Sequence, residues 1–369
     1  MTDPVALLTR LIAVDTHNPG GDEPRLCALL ADELRARGGD VRVVEVPRAG
    51  ETGAYVLATW GRPTLLLNAH VDTVPPNAGW SGDPFTARVD GERVMGLGAA
   101  DTKGAIAAIL CALDEAPPRD LAIAFTGDEE NTGTTVRALL DGDDGMRGTL
   151  ADVTRAVVCE PTSCRAGTRH RGILSVEVEL RGVGGHSSKA DEMAAPLADL
   201  ARLAVAYSDW GKGQLEIGPL GFRGMCMNIA KLDGGIAFNV VPEVARLCLS
   251  VRPPPGSDVD SVSTELFGIA RAMIARGDIG HVTLTAPISN PSFHTREAGL
   301  FSPALGVGAP IDLAFWTEAA LLAAAGIDSV VFGPGDIGTA HAADEFVPIS
   351  DLHRARDVFA TVIRNHGNV

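Results

Sequence analysis

The chain has 369 residues, 46% of them apolar and 21% charged, with a formal net charge of −16 and an isoelectric point near 4.9. This composition excludes a disordered protein, and the acidic balance argues against nucleic acid and anionic membranes as partners. Since a domain usually has about 100–200 residues, the length predicts two domains.

Helical and strand patterns alternate along the first 160 residues of the chain. The periodicity predicts buried strands over 65–68, 121–126 and 156–159, and helices over 24–37, 103–115 and 131–140. Strands that alternate with helices and lack a polar face are typical of a mostly parallel sheet with helices on both sides. This part of the chain is therefore predicted to be α/β.

The pattern changes near residue 170, where SVEVEL over 175–180 alternates apolar and polar residues. The region predicts further strands over 228–231, 245–251 and 281–285, a turn over 233–235, and helices over 194–207 and 259–276. Helix–strand alternation returns from residue 289 onward, with a helix over 316–325, a strand over 329–332 and a C-terminal helix capped by Ser350. The middle of the chain is thus predicted to be a smaller α+β unit.

Two domain organisations fit this order: three domains in a row, or a small domain inserted into a larger one. We favour the insertion, because the last segment then completes the first sheet. The predicted fold class is α/β, with a mixed, mostly parallel sheet flanked by helices. The predicted boundaries are 1–169 and 288–369 for the large domain and 170–287 for the inserted α+β domain.

The six cysteines have irregular spacings and form no C-x-x-C pair. A disulfide framework is unusual in a chain of this length, so we expect free thiols and a cytoplasmic protein. The first residues, MTDPVALLTRLIAVD, lack the basic-then-apolar layout of a signal peptide. No apolar run approaches the roughly 18 residues that a membrane span needs.

Histidines and acids follow the predicted strands. They are His70 and Asp72 after 65–68, Asp101 before the helix over 103–115, Glu129 and Glu130 after 121–126, Glu160 after 156–159, and His341 after 329–332. In open α/β sheets, ligands and catalytic groups gather at the carboxyl ends of the strands. The spacing therefore predicts that these side chains meet at one edge of the sheet.

Each of these signals also has an ordinary structural interpretation. Asp101 fits a helix N-cap, and the pair Glu129–Glu130 fits a solvated helix start. Glu160 fits a surface acid and His341 a polar loop residue. The coincidence of all of them at one sheet edge favours a shared site over these separate interpretations.

The chemistry that such a cluster supports is hydrolysis of an amide at neutral pH, which needs an activated water and an electrophile for the carbonyl. Two metal ions about 3.5–4 Å apart supply both, and a carboxylate commonly bridges them. Zinc accepts histidine nitrogen and carboxylate oxygen as ligands. The chain offers five candidate ligands and one further acid that can act as a general base.

Taken together, the segments NAHVDTVPP, GLGAADTKG, GDEEN, CEPT and FGPGDIGTAHAADEF resemble the M20 family of metallopeptidases and deacylases. The similarity runs over nearly the whole chain. It implies a zinc-peptidase-like catalytic domain with an inserted lid and dimerisation domain, and hence a homodimer. It also implies two divalent metal ions, expected to be zinc, although cobalt or manganese would accept the same ligands.

The resemblance implies a role for each clustered residue. The implied metal ligands are His70, Asp101, Glu130, Glu160 and His341. Asp101 would bridge the two ions, Glu129 would be the general acid/base, and Asp72 would orient His70 from behind. A glutamate at position 160 is typical of the deacetylase and desuccinylase branch.

Within the family, DGGIAFNVVPEVARLCLSVRPPPG and DLAFWTEAALL resemble acetylornithine deacetylases and, among them, N-acetylcitrulline deacetylases. The resemblance implies a small N-acetyl amino acid as substrate and a place in arginine biosynthesis. An ammonium side chain would favour an acid in the pocket, and a neutral ureido group would favour amides or hydroxyls. Glu318 is a candidate for that acid, and it equally fits a helix start.

The inserted domain carries GVGGHSS over 182–188, which does not complete a dinucleotide-binding G-x-G-x-x-G. The resemblance instead implies that His186 reaches the partner subunit's site and stabilises the oxyanion; a buried turn histidine is the structural alternative. Arg252 is implied to hold the substrate carboxylate with two parallel hydrogen bonds. The remaining implied substrate contacts are Arg171, Asn239 and Thr317, which also fit a solvated arginine, a turn and a helix cap.

The sequence thus predicts a metal-dependent amidohydrolase that removes the acetyl group from N-acetylornithine or N-acetylcitrulline. One alternative is a succinyl-diaminopimelate desuccinylase or another dipeptidase or aminoacylase on the same scaffold. An alternative of another class is a non-catalytic amino-acid binder that keeps the fold. A serine hydrolase is disfavoured because the chain contains no G-x-S-x-G.

Overall fold

A computed structural model describes residues 3–48, 50–143, 145–146, 148–296 and 307–366. The strands are β1 Asp40–Arg48, β2 Glu51–Trp60, β3 Leu65–His70, β4 Arg88–Asp90, β5 Arg93–Met95, β6 Leu121–Thr126, β7 Arg155–Val158, β8 Gly167–His170, β9 Ile173–Arg181, β10 Gly185–His186, β11 Cys226–Gly234, β12 Val240–Val241, β13 Val244–Arg252, β14 Val282–Asn290, β15 Phe293–His294, β16 Ile311–Leu313, β17 Asp328–Val331 and β18 Phe346–Pro348. The helices are α1 Pro4–Ile12, α2 Glu23–Ala36, α3 Lys103–Glu115, α4 Thr134–Asp141, α5 Pro196–Gly213, α6 Val259–Arg276, α7 Ala319–Ala324 and α8 Ile349–Asn365, with a 3₁₀ segment over Ser187–Glu192.

The chain divides into two compact units. The larger unit comprises 1–168, 295–312 and 317–369, and the smaller comprises 169–294 and 313–316. In the larger unit, strands run in the order β1-β2-β6-β3-β7-β17-β8, with the central four, β6, β3, β7 and β17, mutually parallel. The mixed α/β sheet predicted from the sequence is confirmed.

The central strands of this sheet are buried on both faces. All six residues of β3 (LLLNAH) and of β6 (LAIAFT) are buried, as expected for parallel strands with helices on either side. Helix α3 is rich in Ala, Ile and Leu and is buried nearly all round, because it packs against α1 and α8 as well as the sheet. The rigid core places the ends of β3 and β6 next to each other, with His70 paired to Thr126.

The smaller unit is an α+β sandwich with an antiparallel sheet in the order β11-β13-β9-β14. Strand β9 alternates buried and more exposed residues, as its sequence SVEVEL predicts. Helices α5 and α6 cover the apolar face, where residues such as Tyr207 and Leu266 are fully buried. Helix α6 coincides with the predicted helix, from its Asp258 cap to a left-handed Gly277.

Several local predictions were wrong. Strand β11 runs through the predicted turn at 233–235 as far as Gly234. Helix α4 starts three residues late, because Gly133 takes a left-handed φ of 65°. Helix α8 begins at Ile349 after Pro348, so Ser350 lies inside the first turn and is not its cap. The strands β1 and β2 were not predicted. The predicted last segment is partly outside the described residues, at 297–306 and 367–369.

All six cysteines lie in the described part of the chain, and none of them is in a disulfide. Four of the six are buried, where cysteine packs as a small apolar residue. None of the helices among the described residues has the length and apolarity to cross a membrane.

Candidate metal centre

The carboxyl edge of the parallel strands gathers the predicted histidines and acids. His70 is the last residue of β3, and Asp101 lies two residues before α3. His70 Nε2 is 2.9 Å from Asp101 Oδ1, and both side chains are buried. Asp101 is therefore not the helix N-cap; Thr102 occupies that position.

Asp101 lies between two histidines. Its Oδ2 is 3.4 Å from Nε2 of His341, while its Oδ1 faces His70. His341 Nε2 is also 2.9 Å from Glu130 Oε1. One carboxylate oxygen for each histidine is the geometry of a bridging ligand. The loop after β17 thus joins the loops after β3 and β6 at one point.

Two overlapping groups of side chains have ligand atoms within 4.8 Å of one another. One consists of His70, Asp101 and Glu130, and the other of His70, Glu129 and Glu160. The structure therefore brings together all of the predicted ligands and the predicted general base. They come from segments that are up to 271 residues apart (341 − 70).

The cluster contains more carboxylates than groups that can carry a positive charge. Burial, together with neighbouring carboxylates, raises the pKa of both Glu129 and Glu160 well above the usual range. Hydrogen bonds that His341 donates to the carboxylates of Asp101 and then Glu130 raise its pKa to about 10. Burial disfavours a charged His70, yet hydrogen bonds to Asp101 and Asp72 still raise its pKa. The buried acids would be neutralised by bound cations.

The donor set fits two divalent ions. Histidine nitrogen and carboxylate oxygen are ligands that zinc takes, and two ligands about 2 Å from one tetrahedral ion lie roughly 3.3 Å apart. The separations of 2.9–3.4 Å between histidine nitrogens and carboxylate oxygens are close to that spacing. Asp101, which offers one oxygen to each side, is placed to be shared.

Asp72 supports the cluster from behind. His70 Nδ1 is 2.9 Å from the Asp72 carbonyl oxygen and 3.5 Å from its Oδ1. The same carboxylate accepts hydrogen bonds from the backbone N–H groups of Glu129 and Glu130, each at 3.1 Å. A single buried acid therefore orients His70 and fixes the Glu129–Glu130 segment.

Glu345 was missed from the sequence, although it lies only four residues after His341. Its buried carboxylate accepts hydrogen bonds from the backbone N–H groups of Gly98, Ala100 and Asp101 at 2.8–3.1 Å. It thereby ties the loop of Asp101 to the loop of His341. Only the tertiary contact reveals this, because an acid in a polar loop has no distinctive sequence signal.

Glu318 and Thr317 are both buried in the larger unit. Thr126 donates a hydrogen bond of 2.7 Å to Glu318 Oε2, and burial raises the pKa of Glu318 to about 7. Glu318 occupies the N-cap position of α7 without a capping hydrogen bond from its side chain. Thr317 Oγ1 accepts a hydrogen bond from Ala319 N, as a helix-start threonine does.

The other predicted substrate residues lie in the smaller unit. His186 is exposed on β10, so the alternative of a buried turn histidine was wrong. Arg252 is half-buried at the end of β13 and forms no ion pair among the described residues; burial lowers its pKa. Arg171 donates to the carbonyls of Arg223 and Gly224, and Asn239 is exposed in the loop before β12.

The chain is similar to known proteins along most of its length. The family model "Peptidase family M20/M25/M40" matches residues 66–365. N-acetyl-L-citrulline deacetylase of Xanthomonas campestris is 36% identical over 94% of this chain and 93% of its own length. Acetylornithine deacetylase of Myxococcus xanthus (97% and 96% covered) and succinyl-diaminopimelate desuccinylase of Rhizorhabdus wittichii (99% and 98% covered) are each 30% identical.

Solved structures share the fold. The M20 family metallo-carboxypeptidase Sso-CP2 from Sulfolobus solfataricus superimposes with a TM-score of 0.74, covering 99% of both chains at 17% identity.

Proposed function

Since this chain belongs to the peptidase family M20/M25/M40 and is a metal-dependent amide hydrolase, we propose that it removes the acetyl group from an N-acetyl amino acid. The candidate substrates are N-acetylcitrulline and N-acetylornithine, which place the enzyme in arginine biosynthesis. The observation that carries the proposal is the position of Asp101 between His70 and His341, with Glu129 and Glu130 alongside. A non-catalytic binder would have no need of this set.

The metals would be held by His70 and Glu160 on one side and by Glu130 and His341 on the other, with Asp101 shared. When bound, such ions, which we propose to be zinc, polarise the amide carbonyl and lower the pKa of water. Glu129 accepts the proton of the attacking water and delivers it to the leaving amine as the C–N bond breaks.

The substrate is proposed to meet residues of the smaller unit, which we propose to be a lid and dimerisation domain. Arg252 has a guanidinium without a carboxylate partner in the described residues, which favours binding of the substrate carboxylate. Arg171, Asn239 and Thr317 are further proposed contacts. Of these, Thr317 is fully buried and Arg171 is engaged with backbone carbonyls, so Arg252 has the strongest support.

A desuccinylase remains the competing function. The test is to measure kcat/KM on N-acetylcitrulline, N-acetylornithine and N-succinyl-diaminopimelate side by side, following the released amine, with the zinc, cobalt or manganese content determined. We expect an acetylated substrate to be preferred at least tenfold, because that difference needs only about 1.4 kcal/mol of differential binding. Preference for the succinylated compound would overturn the proposal, and bound metal without turnover would support a binder.

We further propose a homodimer in which His186 of the partner subunit stabilises the oxyanion. His186→Ala and Glu129→Gln are each expected to be nearly inactive alone. Coexpressed in equal amounts, they should regain about one quarter of wild-type activity, because half of the randomly paired dimers are mixed and each carries one intact site. The measurement is the activity of the purified mixture. Absence of recovery would show that His186 does not act across subunits.

A further inference from the structure

A buried network of charged and polar groups runs behind the candidate centre, away from the proposed ligands. It begins at Glu23 on α2 and passes through Arg48, at the end of β1, to Asp128. From Asp128 it continues through Asn18 to Asp72. The proposed catalytic steps use none of these groups except Asp72.

Arg48 is the cation of this network. Its Nη2 is 2.7 Å from Glu23 Oε1, and its Nη1 is 2.7 Å from Asp128 Oδ1. The arginine side chain is 9% exposed, and both acids are almost completely buried. Within the described residues, Arg48 is the only arginine or lysine that forms an ion pair with Asp128, and no arginine or lysine forms one with Asp72. A buried carboxylate without this partner would be strongly destabilised.

Asn18 links two buried carboxylates. Its Nδ2 donates to Asp128 Oδ1 at 3.0 Å and to Asp72 Oδ2 at 3.1 Å. An amide nitrogen carries two hydrogens, so it can serve both acceptors at once. Without it, two anionic groups would share the space with no donor between them, and Asp72 would lose one of the contacts that hold its carboxylate.

Asp128 immediately precedes the proposed general base. Its backbone has a left-handed φ of 62°, which turns the chain sharply after β6. Its Oδ2 accepts hydrogen bonds from Thr134 N at 2.9 Å and from the hydroxyls of Thr132 and Thr134. Arg48 and Asn18 hold the other oxygen. Both oxygens of the Asp128 carboxylate are therefore held. This fixes the direction in which the backbone continues from Asp128 into Glu129.

We infer that Arg48, Asn18 and Asp128 are positioning residues of the hydrolase: they hold Asp72 and the Glu129–Glu130 segment in the geometry that metal binding and proton transfer need. The inference rests on the proposed function. The route is short, since Asp128 adjoins Glu129 in the chain and Asp72 accepts hydrogen bonds from the backbone N–H groups of both Glu129 and Glu130.

The chain offers a matched control in Arg37. Its side chain is 10% exposed and pairs with two acids, Glu33 at 2.8 Å and Asp114 at 2.9 Å. Arg37 lies in the same unit on the C-terminal side of α2, and it pairs with no residue of the centre. Arg48→Met and Arg37→Met therefore remove arginines of similar burial that each pair with more than one acid, Arg48 also lying 3.7 Å from Glu51, and only Arg48 is connected to the centre.

The experiment compares four variants with wild type: Arg48→Met, Arg48→Lys, Asn18→Ala and Arg37→Met. Each is measured for thermal midpoint, for zinc affinity of the metal-free protein by chelator competition, and for kcat and KM. We expect both methionine variants to lose thermal stability. Only Arg48→Met and Asn18→Ala should lose about 10–100-fold in zinc affinity and kcat. Arg48→Lys should be intermediate, because lysine keeps the charge but not the two-armed geometry.

The inference would be overturned if Arg48→Met and Asn18→Ala had zinc affinity and kcat within twofold of those of Arg37→Met. The network would then have a structural role alone. If Arg48→Met does not fold, the comparison of Asn18→Ala with Arg37→Met decides in the same way. Failure of the proposed function is distinguishable, because wild type itself would then show no turnover while the zinc affinities still rank the variants.

Discussion

Glu129→Gln is expected to abolish turnover while leaving the metal in place. The amide keeps the size of the side chain but cannot accept the proton of the attacking water, so kcat should fall by about 10²–10⁴-fold. The proposed ligands His70, Asp101 and His341 keep their mutual contacts, and metal content should stay at the wild-type value. Steady-state kinetics together with elemental analysis of the purified variant checks both expectations.

A second glutamine variant provides the control. Glu33 on α2 pairs with Arg10 and Arg37 and touches no residue of the centre, so Glu33→Gln should have wild-type kcat. Substantial activity in Glu129→Gln would show that another group moves the proton. Loss of metal together with activity would instead place Glu129 among the ligands, which its proximity to His70 and Glu160 makes a real alternative.

Asp101→Asn is expected to lose both metal ions and at least about 10³-fold in kcat/KM, which corresponds to about 4 kcal/mol of transition-state stabilisation. The carboxylate gives one oxygen to the side of His70 and the other to the side of His341. An asparagine has one acceptor oxygen and no charge, so it cannot bridge two cations. Metal stoichiometry and kcat/KM measured on the same preparation test this.

His341→Ala distinguishes a bridge from a ligand of one ion. This variant removes a partner of Glu130 and Asp101 but leaves the contact between Asp101 and His70. It should retain about one metal ion per chain, whereas Asp101→Asn should retain none. Two tightly bound ions in Asp101→Asn would refute the bridging role.

The sequence was most informative where hydrophobic pattern and chemistry coincide. The apolar run ending at His70 and the run ending before Glu129 predicted two parallel strands, and the structure pairs them with His70 beside Thr126. Because parallel strands start on the same side of the sheet, their carboxyl ends must meet, and the polar residues that follow them must meet as well. The family resemblance, whose motifs lie at these strand ends, was confirmed by the similarity to known proteins.

The sequence was least informative about the groups behind the centre. Glu345 and Asn18 are single polar residues in loops, and such residues are common on any surface. Arg48 ends a strand, β1, that was not predicted at all and of which only one residue is buried. Likewise, Ser350 resembles a helix cap, yet the cap is Pro348 and α8 starts two residues earlier than predicted, directly after strand β18.

By itself the sequence determined the fold class, the central strands and the set of residues at their ends, because periodicity and strand direction are local properties of the chain. The tertiary structure alone decided which buried groups, among them Arg48, Asn18 and Glu345, contact the loops of Glu129 and Asp101. Those contacts join segments from residues 18 to 345, and their selection depends on the shape of the folded core and on the cost of leaving a buried charge unpaired.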